Sequence, residues 1–517
     1  MESPLLDDFS VDHYQLIGSD GDYRSIRTLN MKEIWALFWT ETVKLWEIGG
    51  PIAFNIVCQY GLYAITVAFC GHLGPTELSA VSVAQTVIGT FAFGFMIGMG
   101  SALETLCGQA FGAGQVHMLG VYTQRSMIIL LLSTFVLLPL YIFATPILKL
   151  LGQDHDIAVV AGKFAIFTIP ELYSLSINIP TSKFLQAQSK VGVLAWIGFV
   201  ALVSHAFLLW LFIFVFNWGL IGAAISFNLI GWINALAQFA YVVFWCKDGW
   251  KGWSWSAFNE IWAFVRLSIE SAVMLCLETW YMMSIILLTG HLKDAVTAVG
   301  SLSICINVDG WEAMFFIGVN AAISVRVSNE LGLGRPRATK YSVYVTVFQS
   351  LLIGILCMIV VLVARNHFAI LFTSDEVLIR AVSQLAWFLG ITMVLNSVQP
   401  VISGVAVGGG WQGLVAYINL GSYYVFGIPL GYLLGYVANL GVMGLWGGMI
   451  GGLALQTLLL SVVLYRIDWD KEVEQTTERM RIWGGQDIET EKTPRPKSPK
   501  GTPLPKSPKG LRATIYA

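Results

Sequence analysis

The sequence predicts an all-α polytopic membrane protein of twelve transmembrane helices, arranged as two six-helix lobes with pseudo-two-fold symmetry. Three observations predict it: too little charge for a water-facing surface, apolar runs of spanning length, and a pattern that recurs half-way along the chain. Of 517 residues, 12% are charged and 56% are hydrophobic, with a mean hydropathy of +0.69. A soluble domain carries about 25% charged residues. A larger core cannot remove that deficit, because its surface must still meet water, whereas lipid around most of the surface can. The formal net charge of -2 favours neither an acidic nor a basic partner, and nucleic acid is not expected as one.

A helix needs about 20 apolar residues to cross a bilayer. Runs of that kind fall at 46-71, 80-100, 121-145, 156-180, 191-216, 219-245, 263-289, 297-324, 341-365, 377-402, 411-437 and 441-466. The expected organisation is an N-terminal cytosolic segment (1-45), an N-lobe (46-245), a cytosolic linker (246-262), a C-lobe (263-466) and a disordered cytosolic tail (467-517). Orientation follows the excess of Lys and Arg in cytosolic loops. Lys149, Lys163, Lys293, Arg365 and Arg380 fall on one side, whereas Arg125, Lys183, Lys190, Lys247, Lys251, Arg266, Arg326, Arg335, Arg337 and Lys340 fall on the other. Both termini are therefore expected on the basic, cytosolic side. The acidic start MESPLLDDFS does not read as a cleavable signal.

The repeat is collinear. Gly98, Gly100, Gln109, Gly112 and Gly114 correspond to Gly318, Asn320, Asn329, Gly332 and Gly334, and Pro180 corresponds to Pro400, all at one offset of 220 residues. Asn217, Gly219 and Gly222 correspond to Asn439, Gly441 and Gly444 at an offset of 222. An offset of six helices preserves orientation, so the halves are parallel repeats with a solute-sized crevice expected between them.

Enzyme chemistry finds no support. The sequence holds no Walker loop, no metal-spaced His/Cys cluster and no nucleophile elbow, so neither a metal nor a cofactor is expected. Seven scattered cysteines read as small packing residues. Ionisable groups at membrane depth carry the information instead, since each costs about 2.5 kcal/mol or more to insert. Glu278, among Leu275, Leu277, Trp280 and Met282, is the candidate proton carrier; the alternative is a packing carboxyl bonded to a neighbouring helix. Arg266 and Glu270, four apart, read as an intrahelical ion pair. Asp309 and Glu312 share a helix face beside Trp311 and line either the cavity or a water-exposed mouth. Glu171 follows Pro170 in a polar patch that includes Asn178 and is a further cavity candidate. Glu104 and His205 read as structural. Asn396, Gln399 and Ser403 recur on one face, either to bond a solute or to join helices. Trp280 and Tyr281 at mid-helix are candidates for stacking on a planar solute.

In the tail, Pro496-Lys497-Ser498-Pro499-Lys500-Gly501 recurs at Pro505-Lys506-Ser507-Pro508-Lys509-Gly510, composition that cannot bury a core. Ser498 and Ser507 are candidate kinase sites, where phosphate would cancel local positive charge.

The segments Glu104–Gly114, Cys276-Leu277-Glu278, Ser324–Gly332 and Ser403-Gly404-Val405-Ala406 followed by Gly410-Trp411-Gln412 resemble the plant MATE (multidrug and toxic compound extrusion) family, over about residues 35-466. The resemblance implies twelve helices in two lobes, alternating access, and extrusion of an organic solute coupled to protons, with Glu278 as the carboxylate of the seventh helix. Many plant relatives pair that Glu with an Asp in the tenth helix, where this chain has Asn396, which cannot titrate. The Asn-Ser-x-Gln-Pro pattern is similar to the subgroup associated with vacuolar flavonoid transport. The resemblance thus implies the vacuolar membrane, with the plasma membrane second, and an anion or chloride permease as the alternative function. Asp12–Ile17 fits an acidic dileucine sorting signal.

Overall fold

The computed structural model describes residues 31–259, 261–292, 295–373 and 375–482. The sorting signal Asp12–Ile17 and the serines Ser498 and Ser507 lie outside the described residues. Among the described residues the chain is helical, without strands. The N-lobe comprises α1 (Met31–Gly71), α2 (Pro75–Gly112), α3 (Val116–Ile142), α4 (Ala144–Leu150), α5 (His155–Phe167), α6 (Ile169–Ala187), α7 (Val191–Val215) and α8 (Gly219–Trp245). The C-lobe comprises α9 (Ile261–Thr289), α10 (Ala295–Gly332), α11 (Pro336–Ala364), α12 (Glu376–Gly409), α13 (Gln412–Val437) and α14 (Gly441–Arg466), and α15 (Trp469–Ile482) follows.

Ten helices of the described chain are long and apolar enough to span alone, and α5 with α6 makes an eleventh span bent by 48°. Helix α9, 29 residues long, occupies the place of the seventh run, and its length of about 43 Å at 1.5 Å per residue suffices to cross. The expected run at 156-180 is thus broken rather than straight. The cause is Pro170 in the first turn of α6: it has no N–H to continue the helical ladder from α5, and its ring clashes with the carbonyl four residues back, so the helix breaks at Thr168.

The repeat recurs in the backbone. Asn217 and Asn439 both take φ 55°, and Gly219 and Gly441 take 53° and 58°. Each pair follows a π-helical turn, Leu211–Val215 or Leu433–Val437. Left-handed geometry suits Gly, and Asn better than most side chains, and it turns the chain sharply into α8 and α14.

At the centre α2 and α10 cross where neither tolerates a side chain. A methyl group at Gly112 would overlap the Asn329 carbonyl, and one at Gly332 would overlap the Gln109 carbonyl. These two contacts are counterparts under the repeat, so the crossing lies at the pseudo-axis. Hydrogen bonds tie the lobes together at this basic face: Thr105 Oγ1 donates to the Val407 carbonyl (2.5 Å), Gln109 Nε2 to Gly408 (3.1 Å) and Asn329 Nδ2 to Ala187 (3.3 Å). Arg326 of α10 adds a buried ion pair to Glu41 of α1 at 3.1 Å.

Two expected boundaries need correction. The first helix begins by Met31 rather than 46. The tail expected to be disordered from 467 instead continues as α15, where Trp469, Val473, Thr476 and Met480 are all buried. Their spacing makes one helical stripe. Asp470 and Glu472 sit in its first turn and Arg479 and Arg481 in its last, each sign matching the helix dipole.

Candidate functional site

The C-lobe interior gathers acids from two helices and amides from a third. Glu278 lies mid-way along α9, and its carboxyl faces Gln399 of α12. Gln399 is 1% exposed and donates through Nε2 to Ser403 Oγ at 3.2 Å. On the same helix, three residues earlier, Asn396 Nδ2 donates to Asp309 Oδ2 of α10 at 2.9 Å. The sequence already placed Asn396, Gln399 and Ser403 on one face of α12; the structure shows that face meeting α9 and α10. Both amides lie against carboxyl groups.

Asp309 and Glu312 sit one turn apart on α10. The second carboxyl oxygen of Asp309 is buried without a hydrogen bond. Glu312 is buried beside Cys357 of α11. A carboxyl so placed needs a donor, a proton or a cation to offset the loss of water. The described membrane-depth residues of the C-lobe bring no Lys or Arg among them, since Arg266 is spent at the basic end on Glu270 (3.1 Å).

The aromatic candidates separate. Trp280 is 41% exposed and stacks on Phe91 of α2 across the lobe boundary, with ring centroids 5.7 Å apart and planes within 10°. Trp311 meets Tyr60 of α1 edge-on at 5.6 Å. These pairs bridge the lobes beside the acids. Tyr281 does not join them, contrary to its assignment to the cavity. It is fully buried, stacks on Tyr423 at 4.4 Å and donates its hydroxyl to the Met449 carbonyl at 3.1 Å. Gly427 and Gly452 press against that hydroxyl, where a side chain would overlap it. The reason is helical phase: one residue past Trp280, the side chain turns by about 100° into the lobe core.

The N-lobe candidates lie apart from this cluster. Glu171 lines a separate cavity inside that lobe with Tyr63, Gln85, Tyr141 and Thr168. Asn178 does not line it. Its Oδ1 accepts from Ser182 Oγ (3.2 Å), which also reaches Gln238 (2.7 Å), a relay that joins α6 to α8. The structural readings elsewhere match the contacts: Glu104 pairs with Lys183, and His205 is held by Thr66 (2.7 Å) and Ser226 (3.0 Å). Sequence reasoning missed Cys357, Tyr63, Gln85, Tyr141 and Tyr423. Polar or aromatic residues in apolar runs were the available signal, but nothing in their spacing named their partners.

Comparison with known proteins agrees with this architecture. The family model described as MatE matches residues 51–211 and 271–433, one segment in each lobe. The chain is 70% identical over 448 residues to Protein DETOXIFICATION 35 of Arabidopsis thaliana, covering 87% of this chain and 92% of that relative. It is 62% identical over 465 residues to Protein DETOXIFICATION 34 of the same plant, covering 90% and 85%. The crystal structure of the eukaryotic MATE transporter AtDTX14 superposes with a TM-score of 0.82 at 35% identity, covering 86% of this chain and 99% of that one. The Vibrio cholerae MATE transporter VcmN shares the fold, with a TM-score of 0.74 at 16% identity.

Proposed function

Since the chain belongs to the MATE family of multidrug and toxic compound extrusion transporters and is not an enzyme, we propose that it exchanges protons for an organic solute by alternating access. Glu278 is the proton carrier in this reading. The observation that carries it is a carboxyl withdrawn into the C-lobe with Gln399 as its neighbour. An amide can donate to a carboxylate and accept from a carboxylic acid, so this partner serves both protonation states. Asp309, bonded to Asn396, supplies from α10 the second acid that α12, the tenth span, lacks. Coupling follows if protonation and solute occupancy compete for the same carboxyl groups, each favouring a different facing of the lobes.

The solute is proposed to be a planar aromatic of flavonoid type, entering beside the Phe91–Trp280 stack, and the membrane to be the vacuolar one, with the basic face in the cytosol. The Asn-Ser-x-Gln-Pro segment of α12 and the stack itself support that reading. The anion or chloride permease suggested by Asn396 is disfavoured, because an anion passing Glu278, Asp309 and Glu312 meets carboxyl groups with no Lys or Arg beside them among the described residues. The test is uptake into proteoliposomes under an imposed pH gradient, comparing a flavonoid glycoside with chloride. Gradient-driven glycoside uptake is expected. Chloride flux indifferent to the gradient, with no glycoside uptake, would overturn the proposal.

A further inference from the structure

The helix after the last span lies across both lobes, and its contacts differ in kind along its length. Near its start, Trp469 and Val473 enter an apolar cluster to which α1, α10, α11 and α12 contribute, with Trp469 against Trp411 at 5.9 Å. Glu472 accepts from Trp411 Nε1 at 2.9 Å. Near its end, Met480 is fully buried in the N-lobe cluster that includes Leu106, Ala110 and Tyr122. One helix thus buries its stripe against both halves of the molecule. Burial raises the carboxyl pKa of Glu472, with Trp411 and Arg479 opposing that effect.

Arg479 precedes Met480 in the last turn of α15 and reaches Gln109, at the crossing of α2 and α10. Its Nη1 donates to Gln109 Oε1 of α2 at 3.0 Å and to the Gly409 carbonyl of α12 at 3.1 Å. Gln109 in turn donates to the neighbouring Gly408 carbonyl at 3.1 Å. The guanidinium packs against Gly410, whose φ of 82° ends α12 in a left-handed cap; a Cβ there would come within 2.7 Å of Nη1. A single cation therefore closes a ring between the end of α2 and the end of α12. An opening of the basic face that parts those two ends must break at least one of the two bonds. Hydrogen bonds to charged groups are each worth more than neutral ones.

We propose that α15 is a latch and Arg479 its positioning residue: together they hold the basic face closed and must release before the crevice opens on that side. This goes beyond the identity of solute or coupling ion and holds whichever is transported. The latch sets the population of the two facings, and thereby the fraction of molecules that can load from the basic side.

The experiment measures lobe separation without any substrate. Spin labels at exposed Lys247, on the N-lobe side of the basic face, and Lys340, on the C-lobe side, report the opening by pulsed dipolar spectroscopy. The labels are attached to introduced cysteines in the full chain in nanodiscs, with the half-buried Cys276 and Cys357 replaced by alanine. The parent is expected to show a short distance, and Arg479→Ala to raise the long-distance fraction by about tenfold or more, the loss expected for one charged hydrogen bond. Met480→Ser, which leaves Arg479 intact but weakens docking on the N-lobe, is expected to shift the distribution the same way. Glu472→Gln keeps an acceptor for Trp411 and is expected to stay closed. Unchanged distances in both Arg479→Ala and Met480→Ser would overturn the latch. Opening in Glu472→Gln as large as in Arg479→Ala would overturn the assignment to Arg479.

Discussion

Within α9, the consecutive residues Trp280 and Tyr281 have opposite roles, and substitution distinguishes them. Tyr281→Phe removes the hydroxyl bond to Met449 and leaves that carbonyl in the core, so it is expected to cost about 1 kcal/mol of stability while transport is retained, as read by thermal unfolding and uptake. Trp280→Ala removes the stack with Phe91, worth about 0.5–1.5 kcal/mol. It is expected to raise the apparent KM for an aromatic solute up to about tenfold with little loss of stability. At Asn396 the substitution to Asp places two carboxyl groups in the contact now made with Asp309 at 2.9 Å. Like charges so close share a proton, so this variant is expected to retain glycoside uptake but to shift its pH dependence. A profile identical to the parent's would contradict the contact. Glu278 was legible from sequence because a carboxyl in an apolar run is costly wherever it points. Its neighbour Gln399 was not, since 121 residues separate the two and only the folding of the C-lobe brings them together.

Among the elements, those with punctuation were the most legible. Asn217-Trp218-Gly219 and Asn439-Leu440-Gly441 stood out in the sequence as a repeated pair, and both Asn residues take left-handed angles. Asn439→Gly is expected to be nearly neutral in thermal stability. Asn439→Val is expected to cost about 1–2 kcal/mol, because a β-branched side chain meets the carbonyl in that conformation. The bend between α5 and α6 was signalled by Pro170 but hidden by continuous hydrophobicity, which reads span length and not direction. Helix α15 was missed for the opposite reason. Its composition is charged, and the stripe of Trp469, Val473, Thr476 and Met480 shows only when the window is read at helical period. Charge argues for exposure of one face, not for absence of structure.

For the whole molecule, the two lobes and their pseudo-axis were written in glycines, since close backbone crossing leaves no other residue type possible. Gly332→Leu is expected to force α2 and α10 apart and to destabilise the chain by about 2–3 kcal/mol, read as a lower unfolding temperature in detergent. What sequence could not show is which face is closed, because that depends on contacts between halves that recur in neither half alone. The transport account rests on one exchange, a proton on Glu278 against a solute in the C-lobe crevice. The most direct measurement loads proteoliposomes with a pH-reporting dye and a flavonoid glycoside, imposes an outward glycoside gradient, and follows the internal pH. The account predicts internal acidification as protons enter against departing solute, abolished in Glu278→Gln, which nonetheless binds the glycoside. Acidification of equal size in Glu278→Gln, or glycoside efflux with no change of internal pH in the parent, would contradict it.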